Sequence, residues 1–250
     1  MSAYRLLEGT DMYEHDTSSR HEHAERVLRI GAGHPLPVLT DAVREVCEQA
    51  EADRRCLVLR LVDGGTPGEG WPGDVTIQEV NRWERAVRRL ERLPAVTIAV
   101  AEGTCAGAAF DLLLATDYRI AGADLRLRLP VNAGQLWPGT AVFRLAQQVS
   151  PAHARQLVLW RHELSARQAL DAGVVDECRA DTDAAVRAAV VLLGELAGAE
   201  VAVRRQLIRE AASSPYEDAL GAHLSACDRE LRRLGRRRPV TPLPPTGGGR

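Results

Sequence analysis

The sequence contains no lysine, since all 32 of its basic residues are arginine. A lysine Schiff base and a lysine general base are therefore excluded from any mechanism. Its five cysteines are scattered and form no CxxC pair, which favours reduced thiols over a disulfide framework. The GxGxxG pattern of dinucleotide-binding loops is also absent.

Long apolar runs and a strong net charge are missing as well. No apolar run reaches the roughly 18–20 residues of a membrane-spanning helix, and the first residues lack the apolar stretch of a signal peptide. A net charge of −2 gives no electrostatic reason to expect nucleic acid or a membrane as a partner. We therefore expect a cytoplasmic protein that binds neither.

The histidines do not predict a metal site. His21 and His23 have a spacing that could bind a metal, but no further ligands follow at metal-site spacing. We interpret residues 9–23 as a solvated loop, and we expect neither a metal nor a nucleotide cofactor.

Apolar runs and turns alternate in the order expected of repeated β-α units. Strands are predicted at residues 3–8, 24–30, 56–62, 95–101, 117–121, 124–129 and 174–175. Helices are predicted at 40–53, capped by Thr40 and Asp41, then at 75–93, 141–149, 151–160, 166–172 and 183–234, the last with a break at 213–216. This order predicts an α/β fold with a parallel sheet and a C-terminal helical region.

Composition divides the 250 residues into four parts. Residues 1–23 are predicted to be an edge strand and a polar loop, and residues 24–180 the α/β core. Residues 181–234 form the helical region. Residues 235–250 are rich in Arg, Pro and Gly and are predicted to be disordered.

Two glycine-rich turns are the best candidates for a functional site. The segment LPAVTIAVAEGTCAGAAFDLLLATD, residues 93–117, combines a strand, a turn of small residues and the start of a helix. Such a junction leaves backbone N–H groups unpaired, and these can hold an anion or a developing oxyanion. The second turn, residues 64–73, is too long for a hairpin, and its alternative is a plain surface connection. If the two turns face each other, they form one site.

These segments, in this order, resemble the crotonase superfamily, the enoyl-CoA hydratase/isomerase family, over residues 24–234. The block VNRWERAVRRLERLPAVTIAVAEGTCAGAAFDLLLATDYRIAG carries the likeness most specifically, and LSARQALDAGVVDE, residues 164–177, is similar to a second family segment. The resemblance implies a spiral of β-β-α units with helices at the C-terminus. It also implies a homotrimer or hexamer that binds acyl-CoA thioesters, with coenzyme A as part of the substrate and no permanently bound cofactor.

The family holds the thioester carbonyl with two backbone N–H groups, because negative charge develops on that oxygen in an enolate-like state. By position, the resemblance puts the first donor on Gly73, within residues 71–74, and the second on Ala108, within residues 107–109. Alanine keeps the N–H and fails only if the turn needs a positive φ there. The alternative for both residues is plain turn geometry. The resemblance also gives these candidate pocket residues: Trp71, Gly107, Val131, Asn132, Trp137 and Gly139.

The sequence departs from the family at both glutamates that activate water. The first is replaced by Asp111, whose side chain is one methylene shorter, and the second position falls on Val131, which cannot relay a proton. The neighbouring Asn132 can hydrogen-bond a water but is neither an acid nor a base near neutral pH. We predict that Asp111 acts alone in proton transfer next to the thioester or in loss of water. The alternative interpretation of Asp111 is an aspartate at a helix start that the helix dipole stabilises.

Within the family, these departures and the arginine-rich composition most resemble the hydratase-like auxiliary proteins encoded with a type III polyketide synthase. That synthase makes dihydroxyphenylacetyl-CoA, the precursor of dihydroxyphenylglycine in glycopeptide antibiotics. The resemblance implies a hydratase- or dehydratase-like lyase that acts on an acyl- or polyketide-CoA beside a synthase partner in antibiotic biosynthesis. The alternative is a non-catalytic partner with the same fold that binds and stimulates another enzyme. A third alternative is isomerase or decarboxylase chemistry by one carboxylate, and no residue in the sequence distinguishes it from the lyase.

Overall fold

The computed structural model describes residues 26–30, 33–53, 56–62, 70–194, 196 and 198–237. The strand and loop predicted within residues 1–23, and the predicted tail from residue 238 onward, lie outside these residues. The chain divides into two compact units, one that runs to Ala202 and one that begins at Val203.

The first unit is built on a parallel sheet. Its strands are β1 Arg26–Ile30, β2 Leu57–Leu61, β3 Thr97–Ala101, β4 Thr104–Cys105, β5 Tyr118–Gly122, β6 Arg126–Leu127, β7 Val131–Asn132, β8 Gln135–Leu136, β9 Leu164–Ser165 and β10 Glu177–Arg179. Five of them form the main sheet in the order β1-β2-β3-β5-β10, and every pair in it is parallel. All five residues of β3 are buried, as expected of a central parallel strand covered on both faces.

Helices follow the strands and cover both faces of the sheet. They are α1 Leu36–Asp53, α2 Ile77–Leu90, α3 Ala108–Leu114, α4 Ala141–Gln148, α5 Pro151–Val158, α6 Ala166–Asp171, α7 Thr182–Leu193, α8 Gly198–Ser213 and α9 Tyr216–Arg237. One buried cluster joins α1, α2 and α3 to one face of the sheet. A second, which includes Ile98 and Ile120, packs against Val186 and Val190 of α7 on the other face.

The second unit contains the remainder of α8 and the whole of α9. α9 continues to Arg237 and so includes the first residues of the predicted tail. Within the described part of the chain, no helix is long and apolar enough to cross a membrane.

Several predicted boundaries were wrong for local reasons. α1 begins at Leu36, and Thr40 lies inside it with its hydroxyl bonded to the Leu36 carbonyl at 2.7 Å, so Thr40 is no cap. Val174 and Val175 are not a strand, because both of their N–H groups bond to the Ala169 carbonyl and close the end of α6. The strand at 124–129 shrinks to β6.

The predicted C-terminal helical region also needed a correction. It has a second break, between the end of α7 at Leu193 and the start of α8 at Gly198, in addition to the predicted one between α8 and α9. The helical pattern alone did not distinguish this break from a continuous helix.

The start of α2 is fixed by a capping box. Thr76 accepts a hydrogen bond from the Glu79 N–H at 3.3 Å, and the Glu79 carboxylate accepts one from the Thr76 N–H at 2.7 Å. Both residues satisfy N–H groups that the first turn of a helix otherwise leaves unpaired. The cap matters for the site because α2 carries Trp83 into the core.

Replacing Thr76 by alanine should lower the free energy of unfolding by about 1 kcal/mol, since the cap hydrogen bond is lost. Urea titration of the T76A variant measures this change. The matched control is Q78A, an exposed position of the same first turn, which should change stability by less than about 0.5 kcal/mol. Equal midpoints for T76A and Q78A would contradict the role of the cap.

Candidate active site

The described residues of both glycine-rich turns line one cavity of about 530 Å³, and residues 64–69 of the second turn lie outside the described part of the chain. Residues 70–75 line it from one side, and Thr104 with residues 106–109 from the other. The turn after β1 adds residues 33–37, because the carboxyl ends of parallel strands meet at one edge of the sheet. The sequence left open whether the two turns form one site, and the structure brings them together.

The turn at Gly107 gives the cavity an uncapped helix start. Gly107 is the N-cap of α3 with φ 56° and ψ −126°, and no side chain caps the helix. Ala108 is the first helical residue and lines the cavity. The positive φ thus falls on Gly107, and Ala108 is not among the positive-φ residues. Alanine at this position therefore carries no backbone strain, and its N–H has no acceptor within the helix.

The N–H of Gly73, the other predicted donor, is already in use. It donates to the carbonyl oxygen of Gly70 in a tight turn, in which Gly73 has φ +86°. Gly73 itself lines the cavity. Its N–H reaches a ligand only if it shares or releases the Gly70 oxygen.

The indole of Trp71 forms a wall of the cavity directly against Gly107. A Cβ atom on Gly107 would lie 3.0 Å from Cδ2 of Trp71 and 3.3 Å from two further ring atoms. Such contacts are closer than ordinary packing, so a side chain here would push the ring away. Glycine at position 107 thus serves two purposes, a positive φ and the close approach of Trp71.

Asp111 lies one helical turn beyond Ala108 and is 5% exposed. Its Oδ2 accepts a hydrogen bond of 2.8 Å from Nε1 of Trp83, while Oδ1 has no hydrogen-bond partner within the described part of the chain. Burial raises the pKa of Asp111 to about 7, the Trp83 hydrogen bond opposes this, and the charges of Glu84 and Arg144 act in opposite directions. Asp111 is not among the residues that line the cavity.

The other predicted pocket residues form a hairpin loop beside the cavity. Val131 and Asn132 make up β7, and none of Val131, Asn132, Trp137 and Gly139 lines the cavity. The backbone N–H of Trp137 donates a hydrogen bond of 3.0 Å to the carbonyl of the lining residue Pro130. A Cβ on Gly139 would lie 2.6 Å from Nε1 of Trp137, so glycine lets that indole fold back.

Asn132 nevertheless acts on the cavity through hydrogen bonds. Its Oδ1 accepts from the Gly70 N–H at 3.0 Å, and its Nδ2 donates to the Trp71 carbonyl at 2.5 Å. The side chain therefore fixes the backbone of the turn that carries Trp71. The sequence pointed to Asn132 as a pocket residue but not to this contact, which joins positions about 60 residues apart in the chain.

Three ionisable residues that line the cavity were not among the predicted site residues: His34, Asp74 and Glu79. His34 lies in the turn after β1, and the rule that sites form at the carboxyl ends of parallel strands could have identified it. Glu79 is occupied by the capping of α2. Among the described residues, no group of three His, Cys, Asp or Glu side chains could hold a metal ion.

Comparison with known sequences identifies the class of protein. A family profile described as enoyl-CoA hydratase/isomerase matches residues 77–235, more than half of the chain. A protein of Amycolatopsis orientalis named "Enoyl-CoA-hydratase" is 44% identical over 212 residues, which cover 84% of this chain and 98% of that protein. The chain therefore belongs to the enoyl-CoA hydratase/isomerase family.

Solved structures agree on the fold. An enoyl-CoA hydratase from Polaromonas sp. JS666 superposes with a TM-score of 0.69 at 23% identity and covers 89% of this chain and 98% of its own. An enoyl-CoA hydratase/isomerase from Marinobacter aquaeolei also gives 0.69, at 17% identity, covering 86% and 95%. The crotonase-like α/β fold predicted from the sequence is thereby confirmed.

The raised pKa of Asp111 predicts a pH-dependent stability. Between its usual pKa of 3.8 and about 7, the folded protein keeps a proton that the unfolded chain has lost. The stabilisation is therefore complete below pH 3.8 and disappears as the pH rises through 7. The difference in unfolding free energy between the natural protein and D111N should fall by up to about 4 kcal/mol over this window.

Urea titrations of both proteins at several pH values measure this difference. Subtracting D111N cancels the titration of the other groups, and asparagine still offers an oxygen to the Trp83 N–H. A constant difference across the window would show that Asp111 titrates as an exposed aspartate does.

Proposed function

We propose that this protein binds an acyl- or polyketide-CoA thioester in the cavity and acts on it as a hydratase- or dehydratase-like lyase. The observation that carries the proposal is the meeting of the two glycine-rich turns at one cavity, beside the uncapped start of α3. Membership of the enoyl-CoA hydratase/isomerase family supports a CoA thioester as the ligand class.

In this proposal the thioester carbonyl oxygen accepts a hydrogen bond from the Ala108 N–H. Negative charge that develops on this oxygen is stabilised there, because the donor is already in place and needs no reorganisation. Gly73 supplies the second N–H once the substrate oxygen replaces, or shares the donor with, the Gly70 carbonyl. Trp71 covers the same turn and packs against the acyl group.

Asp111 is the proposed proton-transfer group. A pKa of about 7 lets its carboxyl group both give and take a proton near neutral pH, and Oδ1 has no competing partner among the described residues. In dehydration, the carboxylate takes the proton next to the thioester and the electron pair moves onto the carbonyl oxygen. The Cβ–O bond then breaks, and the same proton leaves with the hydroxyl group as water.

Removing the Ala108 N–H should damage this site selectively. The A108P variant keeps a helix-compatible φ at the first helical position, where proline is tolerated. We expect turnover of an acyl-CoA to fall by about 10²–10³-fold, as for the loss of one oxyanion donor. The control A166P places proline at the equivalent first position of α6, away from the cavity, and should leave turnover unchanged.

Substituting Asp111 tests the chemistry separately from binding. D111N keeps a hydrogen-bond acceptor for Trp83 but cannot transfer a proton, so turnover should fall by about 10²-fold or more. Calorimetric titration with acetyl-CoA should show affinity close to that of the natural protein. Undiminished turnover in D111N would remove Asp111 from the mechanism.

The second candidate is a non-catalytic partner that binds and stimulates another enzyme. It is favoured by the position of Asp111 outside the cavity lining and by the apolar Val131 at the second carboxylate position. Saturable binding of CoA esters without turnover, together with copurification and stimulation of a type III polyketide synthase, would select this candidate. Turnover of a CoA ester by the isolated protein would select the lyase.

The finer assignments come from the resemblance to the auxiliary proteins of dihydroxyphenylglycine biosynthesis. We propose a cytoplasmic homotrimer or hexamer that works beside a polyketide synthase in antibiotic biosynthesis. Sedimentation equilibrium of the purified protein measures the assembly, and a monomeric mass at micromolar concentration would reject it. The identity of the neighbouring genes tests the pathway.

A further inference from the structure

Trp71 is fixed in place by contacts from three directions. Its indole lies against Gly107, which has no side chain to keep it away. The ring of Trp83 meets it edge-on, with ring centroids 6.4 Å apart and planes at 77°. The Trp71 carbonyl accepts the Nδ2 hydrogen bond from Asn132.

Two of these contacts have firm supports of their own. Trp83 is 2% exposed, and its N–H is bonded to Asp111 at 2.8 Å, so its ring cannot turn without leaving a buried carboxyl group unpaired. Asn132 lies on the short β7–β8 hairpin, and its Oδ1 also accepts a hydrogen bond from the Gly70 N–H. It thus fixes the Gly70 N–H and the Trp71 carbonyl of one turn. An edge-on aromatic pair is a favourable arrangement, because the positive ring edge meets the negative ring face.

We propose that Trp83 and Asn132 are positioning residues, which hold Trp71 as a fixed wall of the cavity and thereby determine how it receives the acyl group. The proposal rests on the proposed function, in which the acyl group of a CoA thioester lies in this cavity. Neither Trp83 nor Asn132 lines the cavity, so Trp83 acts through Trp71 and Asn132 acts through the Gly70–Trp71 turn. The wall stands beside the carbonyl site at Ala108 and should contact the acyl group rather than the coenzyme.

The test compares an acyl-CoA with free CoA. In W83F and N132A the dissociation constant of acetyl-CoA should rise by about three- to tenfold. W83F loses the hydrogen bond to Asp111 that holds the ring and weakens the edge-on contact, and N132A loses one pair of hydrogen bonds. The dissociation constant of free CoA should stay unchanged. The controls are W160F, an exposed tryptophan, and N81A, an exposed asparagine on α2, and both should bind acetyl-CoA as the natural protein does.

A double-mutant cycle separates positioning from general loosening of the fold. If Trp83 acts through Trp71, the W71L and W83F substitutions should be non-additive, and W83F should weaken acetyl-CoA binding little once Trp71 is gone. Near-ultraviolet circular dichroism gives a readout without any ligand. The band of the coupled indole pair should be lost in W71L and in W83F, weakened in N132A and kept in W160F.

The outcomes distinguish this proposal from the proposed function. If the natural protein shows no saturable binding of acetyl-CoA or of a longer acyl-CoA, both proposals fail. If it binds, but W83F and N132A bind acyl-CoA as tightly as the natural protein, only the positioning proposal fails. An equal loss of affinity for acyl-CoA and free CoA, or strictly additive effects in the cycle, would also overturn it.

Discussion

The site depends on the parallel pairing of β1, β2 and β3. Parallel strands send their following turns out from one edge of a sheet, so three segments distant in sequence meet there. The pairing is stable because both faces of these strands are covered by apolar side chains of the flanking helices. The position of the cavity therefore follows from the strand topology, which brings the turns together whatever side chains they carry.

The second constraint on the site is the close approach of the Trp71 indole to the backbone at Gly107. Gly107 supplies the positive φ that begins α3, and the same lack of a Cβ lets Trp71 lie on the turn. Ala108 can then be an ordinary helical residue. Alanine at this position therefore leaves the backbone donor intact, because the positive φ is required of Gly107 and not of Ala108.

Sequence patterns predicted the features that depend on neighbouring residues. The apolar run of β3, the small-residue turn and the helix that carries Trp83 are local signals, and the structure contains all three. The Asn132 contact with the Gly70–Trp71 turn joins distant segments, and the Trp83 bond to Asp111 crosses from α2 to α3. The Gly73 N–H is local, but its partner depends on the exact turn. None of these three contacts follows from residue spacing.

Burial is the main reason why the pKa of the Asp111 carboxyl group lies near neutrality. Ionising Asp111 places a negative charge in a region with little water, and this burial is the largest effect that opposes ionisation. Arg144 is 8% exposed and bonds to both Glu84 and Glu91. The charge of Glu84 raises the pKa of Asp111, and the charge of Arg144 lowers it. Arg144 and the Trp83 N–H reduce that cost, and the balance leaves the pKa near 7. Because its pKa is about 7, this carboxyl group exists in both the protonated and the ionised form near neutral pH, and proton transfer by a single group requires both forms.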